Sequence, residues 1–231
     1  MKGKYLYIDV ETTGLNAWQN GISQLSGIIE IDDEIKEKFN FFVKPFPDDL
    51  IEDEALKITG FTREQLKTFE DPIEVWKKLK TIFGKYVNPF KKGGEKFISV
   101  GYNFQFDKDR MTTYSQKVQE IDDPETLNKM YDLFDNIQGP DLTNQNIEWL
   151  KAFFTKNGDV YFNSWCRNII DTRQLYTLYA IKAGIDIHKS TRLADVCEKF
   201  NIEIKAHDAM SDIEATQKLF KLLIDKFTLT S

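Results

Sequence analysis

Three β-prone runs crowd into the first 45 residues, and nearly everything after them reads as helix or turn. The runs are KYLYI at 4–8, ISQLSGIIEID at 22–32 and KEKFNFFVKP at 36–45, each rich in β-branched and aromatic residues. The first stops at Asp9. The acidic cluster Asp32-Asp33-Glu34 separates the other two, which predicts a hairpin. Three neighbouring strands must bury at least one face, and the helices that follow are the material available to cover it. From 49 to 88 the pattern is helical, with a turn at Gly60 and a stripe through Ile73, Trp76, Leu79 and Phe83. A basic loop, KKGGEK at 91–96, leads into a fourth strand, FISVG, whose exit carries polar residues near Asn103. The stretch 110–166 reads as a mostly helical insertion. Three helices close the chain: TRQLYTLYAIKAG, STRLADVCEKFNI and DAMSDIEATQKLFKLLIDKF, the last with Ala209, Ile213, Thr216, Phe220 and Leu223 on one stripe.

Composition narrows the class further. At 231 residues and 41% hydrophobic, with 18 Phe, 9 Tyr and 4 Trp, the chain can build one domain, 1–231, around a core that needs no metal or disulfide staple. Cys166 and Cys197 offer neither a disulfide framework nor zinc-ligand spacing, which fits a reducing interior. The apolar stretch near residue 1 is too short for a signal-peptide core, and no run approaches the roughly 20 residues of a membrane span. The expected location is cytoplasmic, with no membrane partner. The formal charge of −6 argues against coating duplex DNA through a broad basic face. It permits a catalyst that grips only a strand end.

Acidic side chains carry the chemistry. Magnesium and manganese are hard cations that take oxygen ligands, so a site for them needs carboxylates gathered from several elements. Asp9 and Glu11, two apart on an extended segment, point to the same side. Behind them, Thr12-Thr13-Gly14-Leu15 forms a small polar turn whose glycine allows close backbone approach to a ligand. Near the other end, Asp208 is placed to cap the last helix, leaving His207 in the loop before it and Asp212 about one turn inside.

DVETTGL at 9–15, NFQFD at 103–107 and HDAMSD at 207–212 resemble, in order and spacing, the three motifs of the DEDDh exonuclease family. That family includes the proofreading subunit of bacterial DNA polymerase III and ribonuclease T. FVKPFPDDLIEDEALKITGFT resembles the family's segment leading into its ITG turn, while NIIDTRQLY and RLADVCEKFNI resemble the helices before its third motif. Five residues separate His207 from Asp212, the spacing of the histidine branch; the tyrosine branch uses four. Two positions depart from the pattern: Tyr102 precedes Asn103 where many relatives have His, and Asp208 follows the histidine where many have a basic residue.

The resemblance implies a ribonuclease-H-like α/β fold, a mixed five-stranded sheet with helices on both faces. It implies 3′-to-5′ removal of nucleoside 5′-monophosphates from single-stranded or frayed DNA or RNA ends. Asp9, Glu11, Asp107 and Asp212 would hold two Mg2+ or Mn2+ ions, and His207 would be the general base. Thr12, Gly14, Leu15, Asn103 and Phe104 would contact the terminal nucleotide; Phe104 and Trp18 are candidate stacking surfaces, with core packing the alternative for each. A proofreading role would require a separate DNA polymerase as partner. The other class of function compatible with such a chain is a non-catalytic end-binding or polymerase-accessory module. Lys91, Lys92 and Lys96 could touch phosphates, though such runs more often form solvated loops.

Overall fold

A computed structural model describes residues 1–89, 94–122, 162–188 and 190–228. Five strands form one sheet in the order β3-β2-β1-β4-β5: β1 Lys4–Thr12, β2 Ile22–Ile31, β3 Glu34–Phe42, β4 Phe97–Gly101 and β5 Cys166–Asp171. The first three pair antiparallel; β4 runs parallel to β1, and β5 parallel to β4. The expected hairpin is present, its turn carried by Asp32 and Asp33, both with left-handed φ.

Two expectations need correction. Strand β1 does not stop at Asp9; it continues to Thr12, with Asp9 opposite Ser26 and Glu11 opposite Gln24. Charge did not end the strand, because the backbone ladder is indifferent to a side chain that points off the sheet. NIIDTRQLY, grouped above with the helices, is divided. Its first four residues complete β5, and a helix begins at Thr172 with Asp171 as its N-cap. Ile169 and Ile170 lie opposite Ser99 and Val100, so sheet pairing takes these β-branched residues before the helix can.

Strand alternation divides the core. Leu6, Ile8 and Val10 face one way, into a cluster with Val75, Trp76, Leu79 and Phe83 of helix α3 (Pro72–Gly84) and Met111, Tyr114 and Val118 of helix α4 (Gln105–Asp122). Tyr5 and Tyr7 face the other way, onto Ile213 and Phe220 of the long C-terminal helix Ala209–Thr228. The sheet is therefore covered on both faces. Asp9 and Glu11 continue the odd-numbered series, which directs them toward the N-terminal end of that last helix.

Before α3 lie two short helices, α1 (Asp53–Thr59) and α2 (Arg63–Thr68), separated by Gly60, whose φ of 76° ends α1 in the left-handed conformation that glycine tolerates best. Helix α2 opens with a capping box between Thr62 and Gln65, and α3 opens with Asp71 as cap and Pro72 in its first turn. After α4, the described chain resumes with a short helix α5 (Phe162–Trp165), then α6 (Thr172–Lys182), α7 (Leu193–Lys199) and α8 (Ala209–Thr228). Residues 123–161, most of the stretch read as an insertion, lie outside the described residues together with Trp149, Phe153, Phe154 and Tyr161. Its described flanks pack on the core: Met111, Tyr114 and Val118 on one side, Phe162 and Trp165 on the other. Lys91 and Lys92 also fall outside.

Candidate active site

Asp9, Glu11 and Asp212 each offer a carboxylate oxygen within 4.8 Å of the others. Two come from β1 and one from the first turn of α8, so the sheet's odd-numbered face and the helix packed on it assemble the group. Asp107, in the first turn of α4, approaches from the other side: its Oδ1 accepts from the Val10 N–H at 3.1 Å. All four line one cleft of about 450 Å3, together with His207, Thr12, Gly14, Leu15 and Asn103.

The carboxylates disturb one another. Burial, followed by the charges of Asp107, Asp212 and Glu11, holds the Asp9 carboxyl well above the usual range. Burial, then Asp212 and Asp208, pushes Glu11 up to about 7. For Asp107, burial outweighs the Val10 N–H and the Arg110 charge and lifts it to about 8. Asp212 rises to about 6, mainly through burial, with the His207 N–H (3.2 Å) pulling the other way. None of the four forms an ion pair with a described Lys or Arg, and Asp212 Oδ1 is buried without a hydrogen-bond partner. A cluster so short of positive charge suits a hard divalent cation, which would both offset the repulsion and take up the orphaned oxygen.

His207 is exposed, with left-handed φ of 65°, immediately before Asp208. Asp208 caps α8 through its side chain, Oδ1 accepting from the Ser211 N–H at 3.0 Å, and through its carbonyl, which accepts from the Asp212 N–H at 2.9 Å. That cap places Asp212 one turn into the helix.

The remaining expected contacts separate into two groups. Leu15 projects from the cleft rim, 80% exposed, and Thr12 Oγ1 donates to the Gly14 carbonyl at 2.7 Å, tightening the turn beneath it. A side chain at Gly14 would collide with Asn20 and Glu52. Asn103, exposed and with φ of 60°, is in the cleft wall. Phe104 is a correction: its ring is 1% exposed, lies in the core against Gly101, and lines no part of the cleft. An aromatic residue between two polar ones looks the same in sequence whether it faces a base or the core. Trp18 is exposed but lies outside the cleft's lining residues.

Two supporting residues, Asp171 and Arg110, escaped sequence reading. Asp171, at the end of β5, accepts from three backbone N–H groups: Asn103 at 3.1 Å, Phe104 at 3.2 Å and Arg173 at 2.9 Å. It ties the second motif to β5. An aspartate ending an apolar run before a helix was its only sequence signal. Arg110, 6% exposed, stacks on Phe106 with its guanidinium 3.3 Å from the ring centroid and donates to the Leu15 carbonyl, joining α4 to the turn after β1. The Tyr102 hydroxyl donates to the Thr191 carbonyl at 2.6 Å. For Asp171→Asn, one oxygen becomes an N–H facing the donors it once accepted from. We expect a loss of about 1–2 kcal/mol, read as a lower midpoint in urea unfolding. An unchanged midpoint would mean the three bonds do not brace the second motif.

Residues 6–88 match the RNase_T family, described as exonuclease. The chain is 28% identical over 142 residues to DNA polymerase III PolC-type from Pediococcus pentosaceus, covering 59% of this chain and 9% of that protein. It is 32% identical over 114 residues to the PolC-type polymerase of Listeria monocytogenes, covering 49% and 7%. It therefore spans less than a tenth of the length of these curated relatives. Among solved structures, Escherichia coli exonuclease I in complex with a dT13 oligonucleotide superposes with a TM-score of 0.62 at 20% identity, covering 99% of this chain and 44% of that one. Exonuclease I from Methylocaldum szegediense gives 0.60 at 19% identity, covering 96% and 43%. The sheet and its two helical layers thus have the ribonuclease-H-like fold. In its matched segment, its curated relatives and its fold, this chain is similar to exonucleases of the RNase_T family and to the PolC-type polymerases.

Proposed function

We propose that the protein is a 3′-to-5′ exonuclease of the histidine branch, releasing nucleoside 5′-monophosphates from single-stranded or frayed ends. The observation that carries this is the convergence of Asp9, Glu11, Asp107 and Asp212, from β1, α4 and α8, in one cleft beside His207. Asp9, Glu11, Asp107 and Asp212 would hold two Mg2+ or Mn2+ ions. Ions held by these carboxylates would supply Lewis-acid stabilisation to the attacking and leaving oxygens of a phosphoryl displacement. His207 accepts the proton of the attacking water on an imidazole nitrogen, a role suited to the side chain whose ordinary titration lies nearest neutrality. Its exposed position ahead of the α8 cap leaves the ring free to approach a bound strand. Thr12, Gly14, Leu15 and Asn103 orient the terminal nucleotide, with Leu15 offering an apolar edge to its base.

PolC-type relatives are polymerases, and exonuclease I has been seen with a dT13 oligonucleotide. We infer single-stranded DNA as the first substrate to test, and a separate polymerase as the partner in any proofreading role. Among the described residues no helix is long and apolar enough to cross a membrane. Cys166 and Cys197 are both free thiols, which supports a reducing cytoplasmic setting.

The test follows 5′-labelled single-stranded DNA and its RNA counterpart with wild-type protein and Asp9→Ala, in Mg2+, Mn2+ or chelator. The expected result is a cation-dependent ladder shortening from the 3′ end, lost in the variant. Tight binding of 3′ ends with no product in either cation would instead assign the chain to the non-catalytic, end-binding class.

A further inference from the structure

A second cleft, of about 480 Å3, opens beside the first and shares Tyr102, Asn103, His207 and Asp212 with it. The two differ in charge. Around the first lie Asp9, Glu11, Asp107, Glu52 and Glu54. The second contains Arg173 and Arg192 with one acid of its own, Asp195, beside the shared Asp212. Arg192 is engaged with Asp195, its Nε 2.9 Å from one carboxylate oxygen. Arg173 is not paired with a carboxylate among the described residues. Its guanidinium is held by two neutral acceptors, Nε donating to Thr191 Oγ1 at 3.2 Å and Nη1 to Asn103 Oδ1 at 3.4 Å. The Asp171 carboxylate accepts from backbone N–H groups, that of Arg173 among them, and forms no ion pair with the guanidinium.

We propose that Arg173 is a strand-binding residue that takes a backbone phosphate on the 5′ side of the scissile bond, so that the strand leaves the active site through this second cleft. The inference rests on the exonuclease reading above. A 3′-terminal nucleotide brings one phosphate into the reaction, the scissile one. Every other phosphate of the strand lies to its 5′ side. Along the first cleft those phosphates would meet Glu52, and Glu54 paired with Lys57, whereas the Arg173 cleft begins at His207 and Asp212 and offers a braced fork of donors. Neutral acceptors hold the guanidinium in place and leave it without a carboxylate ion pair among the described residues. In a chain of net charge −6, that local positive site is also what would steer a strand into the correct cleft.

The test compares wild type, Arg173→Gln and Arg173→Lys on two substrates. One is a thymidine octanucleotide; the other is the 5′-p-nitrophenyl ester of thymidine monophosphate, which fills the terminal-nucleotide position and has no phosphate upstream. On the octanucleotide, Arg173→Gln should raise KM about tenfold with kcat nearly unchanged. It should also reduce the slope of log(kcat/KM) against log[salt] by about 0.7, the value for one phosphate contact on a single strand. Arg173→Lys should retain the salt slope while losing part of the KM effect, since it keeps the charge and loses the fork. On the nitrophenyl ester all three proteins should be equal. Equal octanucleotide kinetics in Arg173→Gln and wild type would overturn the proposal and leave the exonuclease reading standing. A matching loss on both substrates would overturn it in favour of a role at the terminal nucleotide or in folding. A wild type inactive on both would remove the exonuclease reading itself.

Discussion

Replacing Asp9 with asparagine is expected to slow hydrolysis by at least about a thousandfold while raising the melting temperature of the cation-free protein. The two effects share one cause. Asp9 sits in the middle of the cluster, its carboxyl raised by burial and by Asp107, Asp212 and Glu11. Asparagine keeps its shape and removes its charge, which relieves that repulsion in the folded state. The same change takes away a ligand that a divalent cation would need, so transition-state stabilisation falls by several kcal/mol. For a chain of this size each kcal/mol of relief raises the melting temperature by roughly 2–4 °C. Calorimetry in chelator and a labelled-strand assay in Mn2+ measure the two halves separately. A variant that melts lower than wild type, or that keeps a tenth of the rate, would show that the carboxylates are not held together at such electrostatic expense, or that Asp9 is not a ligand.

The cation-free protein should become less stable as pH rises from about 4 to about 8, and added Mn2+ should cancel most of that loss. In the unfolded chain these carboxyls titrate near their ordinary values, 3.8 for aspartate and 4.5 for glutamate. In the folded chain Asp212 titrates at about 6, Glu11 at about 7 and Asp107 at about 8. Between those limits the folded state binds more protons than the unfolded state. Raising the pH therefore favours unfolding, and the penalty is complete once the highest folded value has been passed. A divalent cation binds only the folded cluster and competes with the protons, so its stabilising effect should be small near pH 5 and largest near pH 8. Melting curves across this window, in chelator and in Mn2+, decide the matter. A cation-free protein whose stability climbs steadily through the window would mean the cluster is already neutralised from within.

Both predictions rest on residues that could be read from the chain, and there is a physical reason they could. Asp9 and Glu11 share a side because strand geometry has a period of two, a rule that works without knowing what the strand pairs with. Asp208 caps α8 because a short acidic side chain before an apolar-periodic run satisfies the helix's first N–H groups locally. The hairpin, the Gly60 turn, α3 and the last helix were legible on the same terms, through turn chemistry and the spacing of apolar residues within one segment. So were the three motifs, whose order along the chain points to one family before any contact between them is known.

Tertiary structure decided what depends on residues far apart in the chain. Cys166–Asp171 is a strand because β4 lies beside it; NIIDT alone carries no such instruction. Phe104 turned inward because Gly101 leaves room for its ring beneath the second motif, so an expected stacking surface became core. Asp171 holds backbone N–H groups 67 and 68 positions earlier, and Arg110 reaches the Leu15 carbonyl across 95. Arg173 looks like any helix-surface arginine until Asn103 and Thr191 are seen to brace it at the mouth of a cleft. Strand period paired Asp9 with Glu11, and the resemblance of the three motifs added Asp107 and Asp212; only packing of the sheet between its helices could bring the four into one cleft, because burial and through-space charge are properties of neighbours in space.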